Sequence, residues 1–259
     1  MILSTKKILN IAIQDLTFRY AGTAIGNFWL LAQPVLQSSV YIILYTFIFR
    51  VSVPGLSSYG YLVFLLLGIA IVLDISETIL LSITSIRSSL TSISQNIYPI
   101  NCLPLRFCVQ TKPQLLVISY LAIVLAPILG VQLHPYCLVV PIFTAVLLLA
   151  FEYGFVCLLL PVAAVLKDIQ QVLQYVIQFI VILSPFSYTR DMLSGVMKIF
   201  LYFNPLSPFI RLNQSIMTIF DPFSTLLYLF LSITLALLFL FFGQRVYLAS
   251  LSLILDEAA

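Results

Sequence analysis

Two columns of side chains carry most of the polar chemistry in this sequence. Gln33, Gln37, Tyr41, Tyr45 and Phe49 recur at every fourth position, with Ser38 beside them, and at helical spacing they share one face. Gln171, Gln174, Tyr175 and Gln178 repeat the pattern at intervals of three and four. Amides present paired donors and acceptors that suit sugar hydroxyls. A phenol ring presents a flat face to the apolar side of a pyranose. A lining that is polar but uncharged holds each unit of a neutral or weakly charged polymer loosely and lets it slide. The same amides would also serve as hydrogen-bonding glue between neighbouring helices. The pattern by itself leaves both readings open.

The acidic residues form a second group. Asp74 and Glu77 stand three apart on one helical face, and Glu152 lies in another apolar run. Charges in lipid are costly, so these carboxylates either form a proton or cation relay or pair with Ser, Tyr, Gln or Lys112 inside a bundle. Other chemistry is missing. One histidine, His134, cannot support a His-rich metal site. No G-x-x-x-x-G-K-[ST] loop is present to cradle a nucleotide, and no G-x-S-x-G elbow or paired Asp-rich clusters occur. Cys102, Cys108, Cys137 and Cys157 show no C-x-x-C spacing and read as small apolar fillers. The expectation is a protein that is not an enzyme, with no metal and no cofactor of its own.

The elements that position these residues follow from composition. The chain has 259 residues, of which 62% are hydrophobic and 8% charged. Its mean hydropathy is +1.14. A soluble domain is roughly half apolar and about one quarter charged, so soluble folds are excluded and an all-α integral membrane protein remains. The net charge of +3 is not clustered, which argues against a nucleic-acid partner. A spanning helix needs roughly 20 apolar residues. Six segments qualify, near 30–49, 61–83, 114–133, 137–165, 169–187 and 223–243. The fourth is long enough to tilt or to break at Pro161. Before the last span, the proline-rich stretch 190–220 holds short pieces such as Val196–Phe203, read as re-entrant helices.

Before the first span, Ile8, Leu9, Ala12, Ile13, Leu16 and Tyr20 fall on one face and mostly polar residues on the other. This predicts an N-terminal amphipathic interface helix. The expected organisation is one permease domain over 1–259, with 1–28 as interface helix and lead-in and 30–249 as a six-span bundle. Lys6, Lys7, Arg19, Arg87, Arg106, Lys112, Lys167 and Arg245 would lie on the side of the termini. Arg50, Arg190, Lys198 and Arg211 would lie opposite. That bias puts both termini in the cytoplasm.

Several stretches resemble a known family. Arg19-Tyr20-Ala21-Gly22-Thr23-Ala24-Ile25-Gly26-Asn27-Phe28-Trp29, followed by Gln33-Pro34, is similar to an R-Y-x-x-S/T-x-L-G-x-x-W…N-P opening. Leu166-Lys167-Asp168-Ile169 resembles F-R-D-I, and Leu183-Ser184-Pro185-Phe186-Ser187-Tyr188 resembles L-T-P-I-x-Y. Tyr202-Phe203-Asn204-Pro205-Leu206-Ser207-Pro208 resembles Y-x-N-P-x-x-P. Each occurs, in this order, in the membrane subunit of ATP-binding-cassette exporters for cell-surface polysaccharides: O-antigen of lipopolysaccharide, capsule and wall teichoic acid. Two departures stand out. The loop Asn101-Cys102-Leu103-Pro104-Leu105-Arg106-Phe107-Cys108 keeps the proline of a K-x-x-F-P-x-E-like run without its charges, and Gln33 replaces an Asn.

The resemblance implies a permease of the bacterial cytoplasmic (inner) membrane, working as a homodimer among membrane lipids. Two copies of a separate cytoplasmic ATPase would carry ATP and Mg. The substrate would be an undecaprenyl-pyrophosphate-linked glycan passing a channel lined by the first and fifth spans, where Gln33, Gln37, Tyr41, Tyr45, Phe49, Gln171, Gln174, Tyr175 and Gln178 fall. Asp15, Arg19, Tyr20, Asn96, Arg106, Lys167 and Asp168 would couple to the ATPase or receive the lipid head group. Rival readings are an exporter permease for a drug or small lipid, and an ion-coupled secondary transporter using Asp74, Glu77 and Glu152.

Overall fold

The computed structural model describes residues 13–86, 103–166, 168–189, 192–193, 195 and 203–256. Residues 13–19 are helical. Turns lead from them to α1 (Gly26–Ile48), α2 (Ser58–Thr84), α3 (Leu103–Ile128), α4 (Val140–Val165), α5 (Ile169–Leu183), α6 (Ser207–Gln214), α7 (Pro222–Ala249) and α8 (Leu251–Asp256). Among the described residues the only β pairing is an isolated bridge between Leu133 and Met217. Five helices, α1 to α4 and α7, are long and apolar enough to cross a membrane. Length and composition thus give an all-α protein of the multi-pass membrane class.

The fifth expected span, 169–187, is shorter than its sequence pattern. Helix α5 has 15 residues. At the α-helical rise it covers about 22 Å, against about 30 Å of hydrocarbon. It stops because Ser184 precedes Pro185 and takes an extended conformation, φ −79° and ψ 136°. The expected break at Pro161 does not occur. α4 continues through it to Val165, as do α1 through Pro34 and α3 through Pro113 and Pro127. A proline inside a membrane helix is tolerated where neighbouring groups satisfy the freed backbone. α3 also starts well before the expected 114. It ends at Ile128 in a glycine-based cap: Gly130 has φ 70°, its N–H donates to Pro127 O, and Val131 N–H donates to Ala126 O.

The fold is arranged around α2. In its most apolar stretch 78% of residues are buried, against 11% for α1 and 17% for α7. A helix that is apolar all round belongs in the centre of a bundle. Its start is fixed by Ser57, whose Oγ accepts from the Gly60 N–H at 3.0 Å. α4 and α7 form the closest helix pair, because Gly154 and Gly243 meet backbone to backbone. A Cβ on either would overlap main-chain atoms of the other helix. Phe151 and Phe239 pack beside this crossing with ring centroids 4.6 Å apart.

α6 is the short helix of the proline-rich region, and it is buried against α2. Asn213 Nδ2 donates to Leu67 O at 2.8 Å, and Gln214 Nε2 donates to Phe64 O at 3.1 Å and Phe186 O at 3.0 Å. Gly68 makes room for this approach: a Cβ there would stand 2.8 Å from Phe186 O. Residues 196–202, expected to hold another short helix, lie outside the described residues. His134, in the connection between α3 and α4, is half-buried. Its N–H donates to Ile216 O, its Nε2 lies 3.1 Å from Phe220 O, and its ring stacks on Tyr136.

Candidate functional site

The first column runs down α1, and its amides have partners within the chain. Tyr20 Oη donates to Gln33 Oε1 at 2.7 Å, and Gln114 Nε2 of α3 donates to Gln37 Oε1 at 3.0 Å. Burial pushes the Tyr20 phenol above its ordinary pKa, with Arg19 opposing and Glu77 adding to the rise. The hydroxyl therefore stays a donor throughout the physiological range. Tyr41 and Tyr45 stand edge-on to Phe186, in the turn after α5, with centroids 6.1 and 5.4 Å away. Phe49 stands edge-on to Tyr45 and is exposed.

The second column behaves differently. On α5, Leu173, Ile177 and Ile180 turn toward the bundle. Gln171, Gln174, Tyr175 and Gln178 are exposed, and Gln170, not singled out from the sequence, joins them. None of the exposed amides has a hydrogen-bond partner among the described residues. The remaining flank, with Val172, Val176 and Phe179, is apolar and equally exposed. One short helix thus presents an apolar face to the bundle, an amide face and an apolar face to its outer surroundings.

No family model matches this chain, and no curated protein matches it. Function must therefore be argued from residues.

The residues assigned to coupling or head-group binding form two clamps on the N-terminal helix. Arg106 Nε of α3 pairs with Asp15 Oδ2, which also accepts from Gln110 Nε2 at 2.7 Å. Arg19 pairs with Glu77 Oε1 of α2 at 2.6 Å. Both bonds tie residues 13–19 to the bundle. Asp168 is exposed immediately before α5, and its carbonyl accepts from the N–H groups of Gln171 and Val172. A carboxylate there also complements the positive end of the helix dipole. Asn96 and Lys167 lie outside the described residues.

The deepest polar cluster joins three helices. Lys112 Nζ of α3 contacts Asp74 Oδ2 of α2, and lies 2.6 Å from Glu152 Oε2 of α4. Thr78 Oγ1 lies 2.7 Å from Thr111 Oγ1 and 3.2 Å from Glu152 Oε2. Of the sequence alternatives for these acids, pairing with Lys112 is what the geometry contains. Among the described residues no three His, Cys, Asp or Glu side chains group as metal ligands. Lys112 was named in the sequence as a possible partner of these acids, whereas Gln110, Thr111 and Gln114 of α3 were not singled out. Their side-chain partners each lie on a different helix.

Proposed function

We propose that this chain is the channel-forming subunit of an ATP-driven exporter. It moves a lipid-linked polysaccharide, O-antigen-like or teichoic-acid-like, across a bacterial cytoplasmic membrane. The observation that carries the reading is the α5 amide column. Gln171, Gln174 and Gln178 are exposed on a chain whose surroundings are largely hydrocarbon, and lipid offers an amide no partner. The column therefore meets water, substrate or a second copy of the chain. A channel shared by two copies supplies all three.

The ordered motifs from Arg19 to Pro208 support the same reading. In this scheme α5 with the turn after it acts as the sixth crossing element. α6 belongs to a re-entrant hairpin, and both termini face the cytoplasm beside two ATPase copies. Closure of the ATPase dimer reaches the bundle through the N-terminal helix and the turn at Asp168. Of the three acids named for the ion-coupled alternative, Glu77 holds Arg19, and Asp74 and Glu152 share Lys112.

Deletion of the protein, followed by analysis of lipid-linked glycans, tests the proposal. Accumulation of one such glycan on the cytoplasmic side, reversed by the wild-type chain, is expected. An unchanged glycan distribution in the deletion strain would overturn it.

A further inference from the structure

We propose that Asp74, Lys112 and Glu152 form a proton-binding site in which one proton is held between the two carboxyl groups. The inference does not depend on what the chain transports. Asp74 is 0% exposed and Glu152 is 1% exposed. Lys112 is the only cation paired with either among the described residues. Two carboxylates and one ammonium leave one negative charge unbalanced in a dry place, which is strongly unfavourable.

The hydrogen bonds point the same way. Lys112 is spent on Asp74 Oδ2 and Glu152 Oε2, and the Thr78 contact falls on Glu152 Oε2 as well. Asp74 Oδ1 and Glu152 Oε1 are buried with no hydrogen-bond partner among the described residues. The two carboxyl groups also meet at one point, since Asp74 Oδ2 and Glu152 Oε2 both contact the same Lys112 Nζ. Two ionised carboxylates offer only acceptors, so their approach is repulsive. One proton, taken from water, supplies the missing donor and forms an O–H···O bond between them. It also brings the three side chains to zero net charge. The titratable groups buried on the same helices are the free thiols of Cys108 on α3 and Cys157 on α4. Glu77, one turn further on α2, is held by Arg19. Neither thiol nor Glu77 supplies the positive charge that would replace the proton.

The proton therefore belongs to the joint between α2, α3 and α4. Any movement that parts α2 from α4 in water releases it, and rebinding closes the joint.

Infrared spectroscopy of the full chain in lipid nanodiscs at neutral pH tests the site. A protonated-carboxyl C=O band is expected that shifts in heavy water and on heavy-carbon labelling of Asp or Glu carboxyl groups. The band is absent in the Asp74→Asn/Glu152→Gln double variant. Should that variant not fold, Glu152→Gln alone serves, since its amide donates to Asp74 and accepts from Lys112. It is expected to keep the wild-type melting temperature and to lose the band. A wild-type chain without such a band, or a band that persists in the folded variant, overturns the proposal.

Discussion

Lys112 is the residue on which the buried charge of this chain balances. It is the single ammonium between two buried carboxylates, so Lys112→Met removes the attraction and leaves the desolvation cost. Breaking a buried ion pair from one side costs about 3–5 kcal/mol. A loss of that size is expected in the unfolding free energy of the purified chain, followed by circular dichroism in detergent. Adding Asp74→Asn and Glu152→Gln to Lys112→Met is expected to recover most of it, because no unpaired charge then remains. At the same scale, Asp15 and Arg106 form a pair whose side chains are each 20% exposed. A double-mutant cycle with Asp15→Ala and Arg106→Ala should give a coupling of about 1 kcal/mol, since partly solvated pairs are weak. Individual acids and bases were readable from the sequence as costly in lipid. Lys112 was among the partners offered for them, but choosing it over Ser, Tyr or Gln needed the packing of three helices that brings Asp74, Lys112 and Glu152 together.

Helices answer to different rules, and their sequence signals were unequal. Long apolar runs made α2, α4 and α7 legible, since length and hydropathy are local properties. The end of α5 was missed because its apolar run continues past Leu183 while Ser184-Pro185 stops the hydrogen-bond ladder. Of the tilt or break offered for the fourth span, the break at Pro161 is absent. Four prolines sit inside helices here, so proline position alone does not mark an end in this bundle. The α4–α7 crossing had no sequence signal, because Gly154 and Gly243 are single glycines on separate helices. Gly154→Leu is expected to push those helices apart and destabilise the chain by about 3 kcal/mol, as overpacking does. The measurement is thermal unfolding by size-exclusion of heated samples. Leu at an exposed control position, such as Val146→Leu, should leave the melting temperature unchanged.

At the scale of the whole molecule, one chain leaves surfaces unfinished. The α5 glutamines were legible as a column, but not that they are exposed while the α1 amides are already bonded to Tyr20 and Gln114. That asymmetry follows from packing: α1 faces α3, whereas the side chains that α5 turns to the bundle are Leu173 and its apolar neighbours. If two copies enclose a passage, a single cysteine at Gln174 or Gln178 in a chain lacking its native cysteines should be crosslinked to a second copy by a bifunctional thiol reagent in native membranes. Cysteine at Val146 on α4 should not. The account rests most heavily on the amide face of α5 meeting water. Cysteine scanning of α5 in native membranes, using a membrane-impermeant thiol reagent, tests that directly. The account predicts fast modification at 171, 174 and 178 and slow modification at 172, 176 and 179. Equal protection of all six positions, or faster reaction on the Val172–Phe179 flank, would contradict it.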